Sequence, residues 1–243
     1  MLEQYWDFGL MGEHFDEVLE GFWITIQLSI VAGALALLWG LLLAVMRQLP
    51  GRPLLPVRLL SIAYIDVFRG VPLLIVILLI SGSLPFLPLP ETLQIPRWLG
   101  KPDPFWYGVM ALTITYGAYM AEVYRAGIEA VPQGQTEAAR SLGMSHGQAM
   151  RNVVLPQAVR KVFAPLLNDF IALMKDTTLV SVIALNEVAL VGRDIQSSEF
   201  NSSALTLGAL MFLAVTLPLA RLVDRLIRRE QGRFSRTAPR GGA

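Results

Sequence analysis

The stretch FWITIQLSIVAGALALLWGLLLAVM, Phe22 to Met46, carries no ionisable side chain over more than the roughly 20 residues a helix needs to cross a hydrocarbon core. In that solvent a backbone must satisfy its own N–H and C=O groups, so the run predicts a membrane-spanning helix. Composition agrees, with 54% hydrophobic and only 16% charged residues, too apolar for an ordinary water-soluble domain. The residues before it include Glu3, Asp7, Glu13, Asp16, Glu17 and Glu20 and no Lys or Arg. That is the opposite of the basic start of a cleavable signal, and the run is read as retained. Without cysteines, neither a disulfide framework nor a thiolate metal site can form.

Four further spans follow from the same reasoning, around Leu59 to Ser81, Phe105 to Gly127, Val162 to Ala184 and Ala204 to Val223; the second and fourth are interrupted by charges or proline. Basic residues cluster after span one (Arg47, Arg52, Arg58), between spans three and four (Arg140, Arg151, Arg160, Lys161) and after span five (Arg221, Arg225, Arg228, Arg229, Arg233, Arg236, Arg240). Lys and Arg accumulate on the cytoplasmic side of short loops. Five spans then place the N-terminus outside and the C-terminus in the cytoplasm. The expected organisation is an extracytoplasmic segment 1–21, a transmembrane domain 22–228 and a basic, disordered cytoplasmic tail 229–243, where a charge run is solvated rather than bound to nucleic acid.

Within span one, Ala32, Ala36, Gly40 and Ala44 recur at every fourth position, a stripe that lets another helix approach closely. The proline-rich loop from Leu84 to Pro104 is expected to lie on the membrane surface, with Trp98 and Trp106 as interfacial aromatics.

Between spans three and four lies a polar insert, about 132–156. Pro132 ends one helix, Glu137 falls near the start of the next, and Gly143 stands where a helix cap is expected. Ser145 precedes Gln148 by three residues, a capping box that starts a second short helix ending before Pro156. The first helix exposes small side chains, Ala138 and Ala139 among them, suited to entering a groove on a partner.

The string Glu137, Ala138, Ala139, three residues, Gly143, nine residues, then Val153, Val154, Leu155, Pro156 resembles the EAA loop of the membrane subunits of bacterial ABC importers. The flanking AYMAEVYRAGIEAVPQGQTEAARSLGMS, VVLPQAVRKVFAPLLNDFIALMKDTTLVSVIALNEV and DVFRGVPLLI look like the polar amino acid branch of that family, whose members import histidine, glutamine, glutamate, arginine or opines. The likeness runs from Thr25 to Arg228. It departs at Val71 and Val76, where the family often has threonine and glutamine. The resemblance implies an all-α permease of the type I importer fold in a bacterial cytoplasmic membrane. It also implies that Glu137, Ala138, Ala139, Gly143 and Pro156 belong to a coupling loop that docks on one of two separate cytoplasmic ATPases. A second permease subunit, identical or paralogous, and an extracytoplasmic binding protein complete such an assembly. ATP and Mg belong to the ATPases, since this chain has no phosphate-cradling G-x-x-x-x-G-K-[ST] run, and no catalytic or metal-ligating set is expected in it.

Ionisable residues at membrane depth are costly and are paired or functional. Glu122 and Arg125 are spaced for a local ion pair. Arg69 admits two readings: a pair with Asp66, or, beside the helix-interrupting Gly70 and Pro72, a grip on the carboxylate of an amino acid. On the second reading Asp169 and Asp176 supply the acidic partner for an ammonium, with Thr177 and Thr178 as hydroxyl partners. An ion-driven secondary transporter would show inverted repeats and paired broken helices, and an intramembrane enzyme a motif such as H-E-x-x-H or a Ser/His/Asp set; none is found, and the only histidines are His14 and His146.

Overall fold

The computed structural model describes residues 3–49, 51–87, 100 and 102–237, and these form helices joined by turns without a strand. The short α1 (Phe8–Glu13) starts on the Asp7 carboxylate, which accepts from the Gly9 and Leu10 amides at 2.9 and 3.1 Å. The long uncharged run lies inside α2 (Phe15–Arg47), 33 residues or about 50 Å at 1.5 Å per residue. Asp16 and Glu17 in its first turn and Arg47 in its last complement the helix dipole.

Ala32, Ala36, Gly40 and Ala44 are all buried, and the stripe meets α5 (Asp103–Glu129). A Cβ on Gly40 would stand 2.8 Å from the Gly117 carbonyl oxygen, and one on Gly117 would stand 2.5 Å from Trp39 Cδ1. Two glycines therefore let the backbones touch. Around this contact Leu28, Ile77, Leu112, Tyr116 and Leu173 build the main core.

The second expected span is two helices, α3 (Leu55–Gly70) and α4 (Leu73–Ser83), diverging by 106°. Pro72 has no N–H to give a helix and its ring denies the helical region to Val71, which adopts φ −90°, ψ 130°. After α4 a 3₁₀ turn, Leu84–Phe86, follows. Trp98 lies outside the described residues, while Trp106 packs on the core, edge-to-face with Phe105 at 5.3 Å.

The insert carries α6 (Gln133–Ser141) and α7 (His146–Ala149). The second insert helix was expected to stop before Pro156. Instead the chain widens into a π turn, Met150–Val154, and continues directly into α8 (Leu155–Asp176), with Pro156 in its first turn. Pro156 has no N–H for the Asn152 carbonyl, and a wider turn avoids that missing bond.

The fourth span was expected to run helically to Ala184, but α8 ends at Asp176 and a 3₁₀ helix, Thr177–Ile183, follows. Thr177 and Thr178 turn their hydroxyls back onto the Met174 and Lys175 carbonyls at 2.7 and 2.8 Å, competing with the helical ladder. The buried Glu187 then caps α9 (Val188–Glu199), accepting from the Ala189 and Leu190 amides, both at 3.0 Å. The last helix, α10 (Ser203–Thr237), runs into the segment expected to be a disordered tail, whose Arg, Glu and Gln are good helix formers; residues 238–243 lie outside the described ones. At its start Ser203 Oγ accepts from the Asp7 amide at 2.9 Å, which ties the N-terminal segment to the same end of the bundle.

Among the described residues, α2 and the stretch Ser203–Arg228 are long and apolar enough to cross a membrane alone, and the bent pair α3–α4 makes a third candidate span. α5 and α8 have the length, 27 and 22 residues, but α8 carries five charged side chains, and α5, uncharged from residue 104 to 121, is made less apolar there by its tyrosines, threonines and glycines.

The α2–α5 contact makes a direct prediction. Gly40→Leu must push the two backbones apart, a cost of about 1–3 kcal/mol for overpacking, whereas Gly12→Leu meets nothing within 4 Å. Thermal unfolding of the purified protein in detergent should shift down for the first and stay near wild type for the second. Equal stability of the two variants would contradict this packing.

Candidate functional site: a charged cavity at the helix break

The break between α3 and α4 opens onto a cavity of about 400 Å³ lined by Arg69 through Leu73, by Thr115, Tyr116 and Tyr119 of α5, and by Asp169, Ala172 and Asp176 of α8. Each element contributes through its own spacing. Thr115 and Tyr119 are four apart on α5, and Asp169 and Asp176 seven apart on α8, so each pair shares one helix face. Arg69 stands in the last turn of α3 because Pro72 ends that helix there. The volume falls within the range of small-molecule sites.

The polar groups in the cavity are unequally satisfied. Asp176 Oδ2 accepts from the Tyr116 hydroxyl at 2.8 Å. By contrast, Asp169 Oδ2 and Thr115 Oγ1 are buried with no hydrogen-bond partner. A buried acceptor left unmade costs about 1–3 kcal/mol, more when charged, and such a group calls for an explanation.

Next to the cavity, Glu122 gathers arginines from three helices. Its Oε1 receives Arg47 Nη1 of α2 in a very close contact and lies 3.7 Å from Arg69 Nη1 of α3. Its Oε2 receives Arg125 through Nε at 2.8 Å and Nη2 at 2.7 Å, and Arg125 also reaches Glu129 at 2.6 Å. The expected Glu122–Arg125 pair is therefore present as part of a larger cluster. The ionic partner of Arg69 is Glu122 rather than Asp66, because the fold brings α5 beside the end of α3, while Asp66 faces outward and is exposed.

Of the sequence-derived candidates, Arg69, Asp169 and Asp176 meet in one cavity. Thr177 and Thr178 do not line it. Tyr116, Tyr119 and Thr115 were missed; their signal was polar atoms recurring at helical spacing on one face of an otherwise apolar helix. Val71 lines the cavity, whereas Val76 is buried in the core. Among the described residues no group of three or more His, Asp or Glu converges to hold a metal.

In the insert, α6 ends as its sequence dictates. Gly143 adopts φ +84°, its amide reaches the Arg140 carbonyl at 3.0 Å and the Met144 amide reaches Ala139 at 3.2 Å, the paired bonds of a Schellman cap. The Ser145–Gln148 capping box is present, with the Gln148 amide 3.3 Å from Ser145 Oγ and the Ser145 amide 2.8 Å from Gln148 Oε1. Glu137, Ala138, Gly143 and Pro156 are exposed, but Ala139, expected outside, is 4% exposed. Leu142, 81% exposed, stands at the tip instead. Beneath it Val131, Val154 and Ala158 pack with Ile128 and Met150, seating the insert on the ends of α5 and α8.

Comparison with known proteins gives a consistent result. Residues 36–232 match the family described as "Binding-protein-dependent transport system inner membrane component". The glutamate transport system permease protein GluC of Corynebacterium glutamicum is 36% identical over 86% of this chain and 93% of that protein. The arginine transport system permease protein ArtQ of Bacillus subtilis is 34% identical over 70% of this chain and 72% of that one. Among solved structures, a chain of an amino acid ABC transporter with histidines superposes with a TM-score of 0.78 at 36% identity, covering 90% of this chain and 96% of the other.

Proposed function

The chain belongs to the family of binding-protein-dependent transport system inner membrane components, and from that premise we propose that it is the permease subunit of an ATP-driven importer that carries a cationic amino acid into the cytoplasm by alternating access. Permeases of amino acid ABC transporters are its relatives. The observation that carries the substrate reading is the juxtaposition of Arg69 with Asp169 and Asp176 in one cavity at a broken helix.

The charge pattern of that cavity fits its ligand. Every amino acid offers a carboxylate, which the planar guanidinium of Arg69 receives through parallel bonds. The α-ammonium and a cationic side chain then take the two aspartates that line the cavity, Asp169 and Asp176. An acidic amino acid would bring a second negative charge to a cavity already holding two, against a single arginine that Glu122 partly neutralises. The relatives' names include both glutamate and arginine, so the cationic preference rests on this chain's own residues. Thr177 and Thr178, buried or turned onto backbone carbonyls, shape the end of α8 without being placed to touch the ligand.

Five spans, N-terminus outside and C-terminus inside, accommodate this reading when α5 and α8 cross the membrane against protein, with Asp169 and Asp176 of α8 turned to the cavity and Glu122 of α5 paired with arginines rather than set against lipid. Segment 132–156 is then cytoplasmic, and α6 and its C-cap present Glu137, Ala138 and Leu142 to an ATPase. The insert is seated on the ends of α5 and α8, the helices that line the cavity, so force on it reaches the site. Two ATPases, a second permease and an extracytoplasmic binding protein complete the machine.

Uptake by proteoliposomes holding the complete transporter tests the substrate reading. L-Arginine should enter with ATP on the ATPase side, and Asp169→Asn should weaken its apparent affinity by roughly tenfold, the scale of a charge-assisted bond. Faster uptake of L-glutamate than of L-arginine would refute the cationic class, and no ATP-dependent uptake of either would refute the site. The coupling role is separable: Glu137→Lys should leave the subunit in the membrane but release the ATPase on purification. Normal co-purification would remove the insert from that role.

A further inference from the structure

Arg69 faces the cavity, and it is held both by a residue of the cavity wall, Tyr119, and by one outside it, Glu122. Its Nη1 lies 3.7 Å from Glu122 Oε1, its Cζ stands 6.0 Å from the centre of the Tyr119 ring, and its backbone carbonyl accepts from the Tyr119 hydroxyl at 3.3 Å. Tyr119 and Glu122 are three residues apart on α5 and share a face. One stretch of α5 thus grips both the guanidinium and the backbone of this arginine.

The grip is unequal, and the inequality points into the cavity. Arg125 takes Glu122 Oε2 through two nitrogens and Arg47 closes on Oε1, which fixes the Glu122 carboxylate between the ends of α2 and α5. Glu129 takes the remaining edge of Arg125. Among these groups three guanidiniums (Arg47, Arg69, Arg125) meet two carboxylates (Glu122, Glu129), which leaves one positive charge in excess. The longest contact belongs to Arg69, and its side chain is 43% exposed against 15% for Glu122. The surplus charge therefore sits on the arginine that lines the cavity. A guanidinium carries five N–H donors in a rigid fork, so an edge turned to Glu122 leaves others for a ligand. An arginine already held loses less rotamer freedom when the ligand arrives.

We propose that Glu122 is a positioning residue for substrate recognition: it presents the Arg69 guanidinium to the substrate carboxylate and is itself fixed by Arg47 and Arg125. The proposal rests on reading the cavity as the amino acid site. Its consequence is that recognition of the carboxylate, the group all amino acids share, depends on a residue that does not line the cavity.

The test is a binding ratio on the purified complete transporter. L-Arginine, L-glutamine and L-glutamate are each compared with the amine left by removing the α-carboxylate, namely agmatine, 4-aminobutanamide and 4-aminobutyrate. In the wild type the best-bound amino acid should exceed its amine, and Arg69→Gln should abolish that preference. Glu122→Gln should cut the preference by roughly tenfold, about 1.4 kcal/mol, by weakening the amino acid and leaving the amine unchanged. Glu122→Asp, with the charge drawn back by one methylene, should fall between. A purely structural role would weaken both ligands alike, and that result overturns the proposal. An unchanged ratio in Glu122→Gln overturns it too, provided Arg69→Gln abolishes the preference. No preference in the wild type, or an intact one in Arg69→Gln, overturns the site reading itself. Should Glu122→Gln not assemble, Glu122→Asp decides, a reduced ratio supporting the proposal and a wild-type ratio overturning it.

Discussion

The close approach of α2 and α5 sets the rest of the molecule. Gly40 and Gly117 remove the side chains that would hold the two backbones apart, and between helices in lipid, where the hydrophobic effect gives little, such close packing is a main source of association. With one face committed to α2, α5 has the other free for Thr115, Tyr119 and Glu122, which border the cavity or the arginine at its edge. Arg47, at the end of α2, reaches Glu122 only because the helices are this near.

The second determinant is the dipeptide Val71–Pro72. By ending α3 it leaves Arg69 at a helix terminus, where the carbonyls of the last turn lose their intrahelical partners, and Tyr119 takes one of them. By turning the chain through 106° it makes room for a cavity that a straight span would fill. Irregular backbone at membrane depth persists where it is enclosed by protein or lines a polar space, and here it does the latter. The charges that would be prohibitive against lipid are the ones that line this space or pair beside it.

Much of this was legible in the sequence because it depends on local chemistry. The uncharged run from Phe22 gave a helix, the four-residue repeat gave its packing face, and Gly143 and the Ser145–Gln148 pair gave the caps of the insert. Arg69, Asp169 and Asp176 stood out as charges where charge is expensive. What could not be read depends on which helices meet. Asp66 is the nearer carboxylate to Arg69 along the chain, but Glu122, 53 positions on, is the one that the fold delivers. Pro156 looked like a stop, yet proline is tolerated in a first helical turn, and the π turn before it carries the helix through. Thr177 and Thr178 looked like ligands, but a threonine hydroxyl at a helix end has carbonyls closer to hand.

The most direct measurement is a density map of the assembled transporter, held with its ATPases from hydrolysing ATP and saturated with L-arginine. Ligand density is expected between Arg69 on one side and Asp169 and Asp176 on the other, with the carboxylate at the guanidinium and Glu122 still against Arg69. Density for the ligand elsewhere along the subunit, with the cavity at the Val71–Pro72 break empty, would contradict it.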